Sequence, residues 1–475
     1  MSLDFFPMIA NREWREGKVE AVIEPATGDQ IAEMVDVGEA GVEAAVGAAK
    51  DARRSWAATT PKDRAAMLLR LADALEANAD QFAELEARDV GKPLADARAE
   101  MFSAADKYRF FAGAGRALTA PVCDEYKPGI TSLVRREPLG IVAAIAPWNY
   151  PMGLTSWKIG PALMAGNTVV LKPTNETPLT SLLLGRIAAD IFPAGVLNVV
   201  TGGGDSVGKA LVRHPDVAMV SLTGGTSTGK TIMRDAADMV KKVHLELGGK
   251  APVLLFDDAD LDKFVATMRG AAFRNSGQDC TAATRVYVSK ALFGEVTERL
   301  VQMAEGLTVG NGFLDPAVQM GPVVSQRHRD SIARQVERAV GEGARIVTGG
   351  EGSGAFYTPT IVTGANQRSA IVQEELFGPV LVVSTFDDED DAIAKANDVA
   401  YGLAASIWTR DINRAVKCAA LIEAGTVWIN DHGPTAAEMP FGGFKLSGIG
   451  RDMSIHAIEE HTAFKHVAIS HGYQL

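Results

Sequence analysis

Met219-Val220-Ser221-Leu222-Thr223-Gly224-Gly225-Thr226-Ser227-Thr228-Gly229-Lys230-Thr231 is the stretch on which the fold turns. A short apolar run ends in paired glycines, and a helix candidate opens on Thr and Ser. Strand, Gly-rich turn and helix N-terminus in that order are the core of a βαβ unit, and the exposed amides of such a helix start attract phosphate. Two ligands fit. Gly224 to Thr231 matches the phosphate-loop pattern literally, so Lys230 could reach a nucleoside triphosphate, with the run 254–257 passing for a magnesium-binding strand end. The same core serves the pyrophosphate of a dinucleotide equally well.

Outward from this stretch, short Val/Ile-rich runs alternate with helix candidates. Runs at 140–146, 168–171, 196–200 and 219–222 are each followed by Gly, Pro or Asn and then a helical pattern, as in parallel βαβ units. A second series includes 251–256, 286–288, 380–385, 404–408 and 426–429. Upstream, residues 64–87 carry Met67, Leu68, Leu71, Leu75, Phe82 and Leu85 at helical spacing, predicting one helix. No internal repeat or low-complexity tail appears. Two α/β domains meeting near 247–250 are expected, in keeping with roughly two or three domains for a chain of 475 residues.

Composition narrows the class. With 47% hydrophobic residues the chain has ample core, and its net charge of -12 argues against a general nucleic-acid surface. Three cysteines supply no disulfide framework, which points to a reducing compartment, the cytoplasm by default. Residues 1–10 carry Asp4 and no basic segment, a poor secretory signal, and the most apolar run, 139–146, is too short to cross a bilayer. No membrane, nucleic-acid or metal partner is expected.

The chemistry centres on Cys280, in Asn275-Ser276-Gly277-Gln278-Asp279-Cys280-Thr281. A lone cysteine is most often structural. Here the thiol follows Gly277, Gln278 and Asp279 rather than lying in an apolar run, and Gly277 lets the backbone approach a ligand. Cys123, beside Pro121 and Asp124, reads as part of a connection, and Cys418 as a packing residue of the helical stretch 413–422. Upstream, Leu245-Glu246-Leu247-Gly248-Gly249-Lys250 offers a carboxylate between apolar neighbours. A thiol and a carboxylate brought together suit covalent catalysis. Without the thiol, Glu246 reads as a solvent-facing strand end.

Pro147-Trp148-Asn149-Tyr150-Pro151, Leu171-Lys172-Pro173, Ser221-Leu222-Thr223-Gly224-Gly225, Glu246-Leu247-Gly248-Gly249-Lys250, Gly277-Gln278-Asp279-Cys280, Glu375-Leu376-Phe377-Gly378-Pro379 and Pro440-Phe441-Gly442-Gly443 resemble, in order, the signatures of the aldehyde dehydrogenase superfamily. The resemblance runs from Ile23 to Arg451 and is greatest to bacterial γ-aminobutyraldehyde dehydrogenases. It implies an α/β fold with a Rossmann-like cofactor domain (1–119 and 139–247), a catalytic α/β domain (248–446) and a small β oligomerisation element (120–138 and 447–475). A homodimer, or a homotetramer built as a dimer of dimers, is implied as well.

The implied reaction is oxidation of an aldehyde to its acid, and the family pattern assigns the residues. Cys280 attacks the carbonyl, giving a thiohemiacetal alkoxide that loses hydride to NAD and leaves a thioester. Asn149 and the Cys280 amide stabilise the oxyanion, Glu246 is the base for hydrolysis, and Lys172 assists through the cofactor. Asn149 could otherwise cap a turn, and Lys172 could be a solvated strand end. Ala146, Trp148, Lys172, Thr174, Asn175, Gly204, Gly208, Gly225, Thr228, Leu247, Glu375 and Phe377 match cofactor-contacting positions. Asn175 stands where NAD-selective members often carry glutamate, and Glu176 comes one place later, so NADP stays open beside NAD. A catalytically silent member would keep the fold, but Cys280, Glu246 and Asn149 together weigh against it.

Asp279 bears on the substrate. A carboxylate beside a nucleophilic thiol disfavours the thiolate, and a cationic substrate would give that charge a use. Tyr150 and Trp157 match the family's aldehyde tunnel, where they could shelter a methylene chain and face an ammonium. Thr281 follows the nucleophile, and Glu100 is a candidate for the far end. An ω-aminoaldehyde, 4-aminobutyraldehyde, is therefore expected, with betaine aldehyde or another aliphatic or aromatic aldehyde as the alternative. In a bland reading, Asp279 bonds a backbone amide or pairs with Arg274 or Arg285.

Overall fold

Alternate residues of each central strand feed different cores, so the apolar runs build a sheet covered on both faces. Val142 and Ala144 pack with helices Pro61–Ala77, Leu94–Arg116 and Pro151–Met164, while Ile141 and Ala143 pack with helix Gly38–Ala57. The structure is a computed structural model, described for residues 5–120 and 122–472. Residues 1–4, Pro121 and 473–475, at which parts of the expected N-terminal segment and bridging element fall, lie outside the described residues.

The larger sheet has eight strands, in the order Arg12–Glu13, Met8–Ile9, Leu197–Val199, Thr168–Lys172, Ile141–Ile145, Val217–Gly224, Lys242–Leu247 and Gly448–Ile449. The five central strands are parallel and the outer pairings antiparallel. Numbered by chain position, those five run 3-2-1-4-5, which puts a topological switch point between Ile141–Ile145 and Val217–Gly224. The second sheet has seven strands, with Ala283–Ser289 and Ala251–Leu255 near its middle, and is parallel except at its Arg345–Thr348 edge. Lys242–Leu247 ends in the first sheet and Ala251–Leu255 begins in the second, with Gly248, Gly249 and Lys250 between them. A third, antiparallel sheet joins Cys123–Lys127 and Ile130–Pro138 to Thr462–Ser470. Two mainly parallel sheets packed with helices and a third antiparallel sheet make this an α/β architecture.

Three local expectations change. The helical pattern of 64–87 is two helices, Pro61–Ala77 and Ala79–Val90, broken at Asn78 (φ -111°, ψ 18°). The first starts on a capping box between Thr60 and Asp63, the kind of cap that contributes about 1 kcal/mol. Cys123 is the first residue of an exposed strand rather than part of a connection. The phosphate-loop reading fails on topology: the run ending at Asp257 belongs to the seven-stranded sheet, whereas the glycine turn belongs to the eight-stranded one. Lys230 is exposed on helix Thr226–Ala237, and Gly229 is there for packing, since a Cβ on it would lie 2.7 Å from Leu247 Cδ2.

Candidate active site

The chain leaves strand Ile141–Ile145 at the switch point, and the next residues build one wall of the site. Ala146 donates its amide to the Lys172 carbonyl (3.1 Å), and Asn149 is buried just before helix Pro151–Met164. The opposite wall is the segment before Cys280, where Asn275, Ser276 and Gly277 take φ values of 48°, 58° and 68° in succession. Two non-glycine residues in the left-handed region cost energy, and local bonds hold them there. Ser276 Oγ donates to the Gly321 carbonyl (2.8 Å), Gln278 Nε2 to Asn275 O (2.9 Å), and Gln278 Oε1 accepts from the Val324 amide (2.8 Å). The walls are tied together by Asn275 Nδ2 to Asn149 O (2.8 Å) and Asn149 Nδ2 to Gln278 O (3.0 Å). Cys280 is half-buried against Tyr150 and a cluster containing Leu154, Trp157 and Phe441.

Glu246 enters from strand Lys242–Leu247, in register with Thr223 on one side and Gly448 on the other. Gly248 and Gly249 let the chain pass closely: a Cβ on Gly248 would lie 2.1 Å from Glu375 Oε2, and one on Gly249 2.3 Å from the Cys280 carbonyl. Glu246 is 1% exposed, and burial pushes its carboxyl up to about 8 against the opposing pull of the Lys158 ammonium. Among the described residues neither of its oxygens has a partner of good geometry, and the Cys280 thiol is the side-chain donor near enough to act on it. The Cys280 thiol is pushed well up, by burial first and then by the charges of Glu246 and Asp279. A thiol in that setting is protonated at rest and needs a base to become a nucleophile.

The sequence reading missed the charges behind Glu246. Lys158 Nζ pairs with Asp452 Oδ2 at 2.7 Å, both fully buried, and His244 lies 3.5 Å from Asp452 Oδ1 and 3.3 Å from Glu460 Oε2. Lys158 follows the matched Trp157, and His244 lies two residues before Glu246 on the same strand face. That periodicity was the available signal. His432, also missed, anchors the carbonyl of Thr281 through Nε2 (2.7 Å) and meets Ser406 Oγ through Nδ1 (2.9 Å).

On the substrate side, Asp279 Oδ1 accepts from the Thr281 amide (2.8 Å) and Thr281 Oγ1 (2.7 Å), and Oδ2 accepts from Tyr150 Oη (2.9 Å). The backbone-amide bond of the bland reading is present. The ion pairs are not: Arg274 sits 3.4 Å from Asp96, and buried Arg285 donates to the carbonyls of Lys250, Lys395 and Ala396. Trp157 stands edge-on to Phe441, with ring centroids 5.1 Å apart. The Lys92 ammonium lies 4.4 Å over the Tyr150 ring, so the protein's own cation covers that face. Lys92 also pairs with Glu100 (2.5 Å) and Glu86 (3.3 Å), and Glu100 accepts from the Gly153 amide (2.8 Å). The oxygens of Glu100 are thereby engaged within the protein.

The expected cofactor residues gather around the switch point on the other side of the site. Lys172 is buried, its ammonium donates to the Pro173 carbonyl (3.1 Å) and to no other group among the described residues, and burial lowers its pKa to about 8. Its side chain runs beside Gly208, where a Cβ would lie 3.7 Å from Lys172 Cε. Thr174 Oγ1 is 3.5 Å from Thr177 Oγ1, and Asn175 Oδ1 is buried without a partner. Gly204 begins a short π-helical turn, Gly225 caps helix Thr226–Ala237, and Thr228 is exposed on its first turn. Leu247 donates its amide to Ser447 O (3.0 Å). Glu375 Oε1 accepts from the Gly249 amide (3.0 Å), and burial raises its carboxyl to about 7. Phe377 sits at φ 56°, its ring 5.1 Å from that of Trp148 and its carbonyl 2.7 Å from His328 Nε2. An unpartnered amide oxygen, a ligand-poor buried ammonium and a free helix start at the strand ends suit a dinucleotide. Among the described residues, no group of three or more His, Cys, Asp or Glu is placed to hold a metal, and no helix is long and apolar enough to cross a membrane.

A Rossmann-like sheet facing a second α/β sheet, with a thiol and a buried carboxylate between them, defines the class. The model of the aldehyde dehydrogenase family matches residues 14–467, and the chain belongs to that family. Betaine aldehyde dehydrogenase of Bacillus subtilis (strain 168) is 40% identical over 476 residues, covering 96% of this chain and 95% of that protein. Phenylacetaldehyde dehydrogenase of Pseudomonas fluorescens is 40% identical over 481 residues, covering 98% and 96%. The crystal structure of betaine aldehyde dehydrogenase from Staphylococcus aureus in complex with NAD+ superposes with a TM-score of 0.97 at 36% identity, covering 100% of this chain and 96% of that one. The named relatives thus shift the weight from aminobutyraldehyde to the alternative substrates.

Proposed function

We propose that this protein oxidises an aldehyde to the carboxylic acid with NAD as hydride acceptor, through a thioester on Cys280. The observation that carries this reading is the meeting of Cys280, Glu246 and Asn149 at the carboxyl ends of the central strands. Glu246 takes the thiol proton, and Cys280 sulfur attacks the carbonyl carbon. The second hydrogen of Asn149 Nδ2 and the Cys280 amide then hold the alkoxide, a kind of contact worth about 2.7–4 kcal/mol each in the transition state. Bound NAD supplies the hydride acceptor. Lys172, Asn175 and Glu375 would hold its riboses, and Gly225 with Thr228 its pyrophosphate. Glu246 releases that first proton to solvent and then takes one from the water that hydrolyses the thioester, with the Cys280 thiolate as leaving group.

For the substrate, the reading is a cationic aldehyde. Among the described residues Asp279 has hydrogen-bond donors but no ion pair, so its charge stands beside the thiol with only the more distant Arg274 to offset it. Betaine aldehyde has first claim through the relatives. 4-Aminobutyraldehyde, which would serve polyamine breakdown, is the second candidate. The Trp157–Phe441 pair and the phenylacetaldehyde relative favour an aromatic aldehyde as the competing reading. Assays of betaine aldehyde, 4-aminobutyraldehyde, butyraldehyde and phenylacetaldehyde with NAD+ rank them. A catalytic efficiency highest for the two cations is expected, and a preference for phenylacetaldehyde overturns the charge argument. We further propose that the eight-stranded sheet binds the cofactor, the seven-stranded sheet carries the nucleophile, and the exposed antiparallel sheet bridges subunits of a dimer or tetramer.

A further inference from the structure

Asn175 is an uncharged amide shortly after Lys172, and a carboxylate reaches it from elsewhere in the chain. Asn175 Nδ2 donates to Glu20 Oε2 at 3.0 Å, across 155 residues of sequence. Glu20 belongs to the N-terminal hairpin strand Lys18–Ile23, whose partner strand Gln30–Asp36 ends at Asp36. Asp36 in turn ties the hairpin to the cofactor loop: its carboxylate accepts from the amides of Gly38 (2.9 Å) and Gly203 (3.0 Å) and from Ser206 Oγ (2.8 Å). Gly208, which ends that turn, is the glycine along which Lys172 runs. One hairpin therefore places two carboxylates around the Lys172–Asn175 corner.

We propose that Glu20 is a cofactor-specificity residue, acting from the N-terminal hairpin through its bond to Asn175. The inference rests on the reading that Lys172 and Asn175 hold the adenosine ribose. One amide hydrogen of Asn175 is committed to Glu20, and its Oδ1 is left buried without a partner, an acceptor that a ribose hydroxyl would satisfy, with the Glu20 carboxylate beside it. A hydroxyl can donate to such a corner; a 2′-phosphate brings about two negative charges and no donor. The Lys18 ammonium, 2.8 Å from Glu20 Oε1, does not cancel the effect, because its side chain is 77% exposed and its pairing is screened by water.

The test is equilibrium binding of NAD+ and NADP+ to the full-length protein by titration calorimetry, for wild type, Glu20→Gln and the double variant Glu20→Gln with Asn175→Glu. Wild type is expected to bind NAD+ at least about tenfold more tightly than NADP+, the size of a like-charge repulsion across a few ångströms of partly hydrated space. Glu20→Gln is expected to tighten NADP+ about tenfold and to weaken NAD+ by about threefold at most, and the double variant to restore discrimination. A preference that is the same in wild type and Glu20→Gln overturns the assignment of Glu20 and leaves the cofactor reading standing. Failure of wild type to bind either dinucleotide overturns the cofactor reading and the assignment with it.

Discussion

Tyr150 Oη donates to Asp279 Oδ2 at 2.9 Å, and the Lys92 ammonium sits on the face of the same tyrosine ring, 4.4 Å from its centre. The tyrosine thus separates the protein's internal cation from the carboxylate beside the nucleophile. It is held by both, so it orients Asp279 and is not free to receive a substrate ammonium on the covered face.

Asp279→Asn keeps the shape and two of the three hydrogen-bond geometries while removing the charge. It is expected to lower kcat/KM about tenfold for betaine aldehyde and 4-aminobutyraldehyde and to change it less than about threefold for butyraldehyde, the size of one lost partly solvated ionic contact. Steady-state kinetics on the three aldehydes checks this; equal losses on all three would assign Asp279 to positioning of the Cys280 segment.

The raised carboxyl of Glu246 sets two pH dependences of opposite sense. As a base it works only when ionised, so the hydrolytic step is expected to rise with pH and level off above about 8. For stability the sign reverses: the folded state holds this proton to about 8, whereas the unfolded chain releases it near 4.5, so the contribution is full below about 4.5 and is lost by about 8. Glu246→Gln is therefore expected to gain stability over wild type across that window, on the order of 2–4 kcal/mol by pH 9. Denaturant unfolding at pH 5 and pH 9 measures it.

Gly277 turns the chain into the nucleophile segment at φ 68°, with the Gly378 carbonyl 2.3 Å from where a Cβ would lie. Gly277→Ala combines left-handed strain with a backbone clash. A loss of about 2–4 kcal/mol in unfolding free energy is expected, read as a lower Tm, together with a slower reaction of Cys280 with iodoacetamide.

Asn149 meets the reaction as an oxyanion donor while its other amide hydrogen stays on Gln278 O. Asn149→Ala is expected to lower kcat about 10²–10³-fold with a smaller change in KM, the pattern of an interaction made in the transition state. A change confined to KM would return Asn149 to a turn-capping role.

Much of this site was legible because it lies on short strand ends. Apolar runs such as 140–146 and 219–222 gave away the parallel sheet, and Gly277, read as a close approach to a ligand, marks where the chain passes the Gly378 backbone. Asn78 broke a helix without the Gly or Pro that announces a break, and the strand Cys123–Lys127, exposed throughout, has no buried face to set an alternating pattern. Contacts such as Glu20 with Asn175, or Lys158 with Asp452 across 294 residues, are made by the tertiary fold and leave no local trace. The literal phosphate-loop match misled for a related reason: a pattern of residues does not say which sheet its partner strand joins.

The covalent step is the centre of this account, and peptide mass spectrometry of wild type mixed with NAD+ and betaine aldehyde and quenched in acid within the first turnover tests it most directly. The predicted result is one equivalent of NADH formed in a burst and an acyl group on the peptide containing Cys280, absent from Cys280→Ser. NADH formation by Cys280→Ser at the wild-type rate, or a burst of NADH in wild type with no adduct on Cys280, would contradict it.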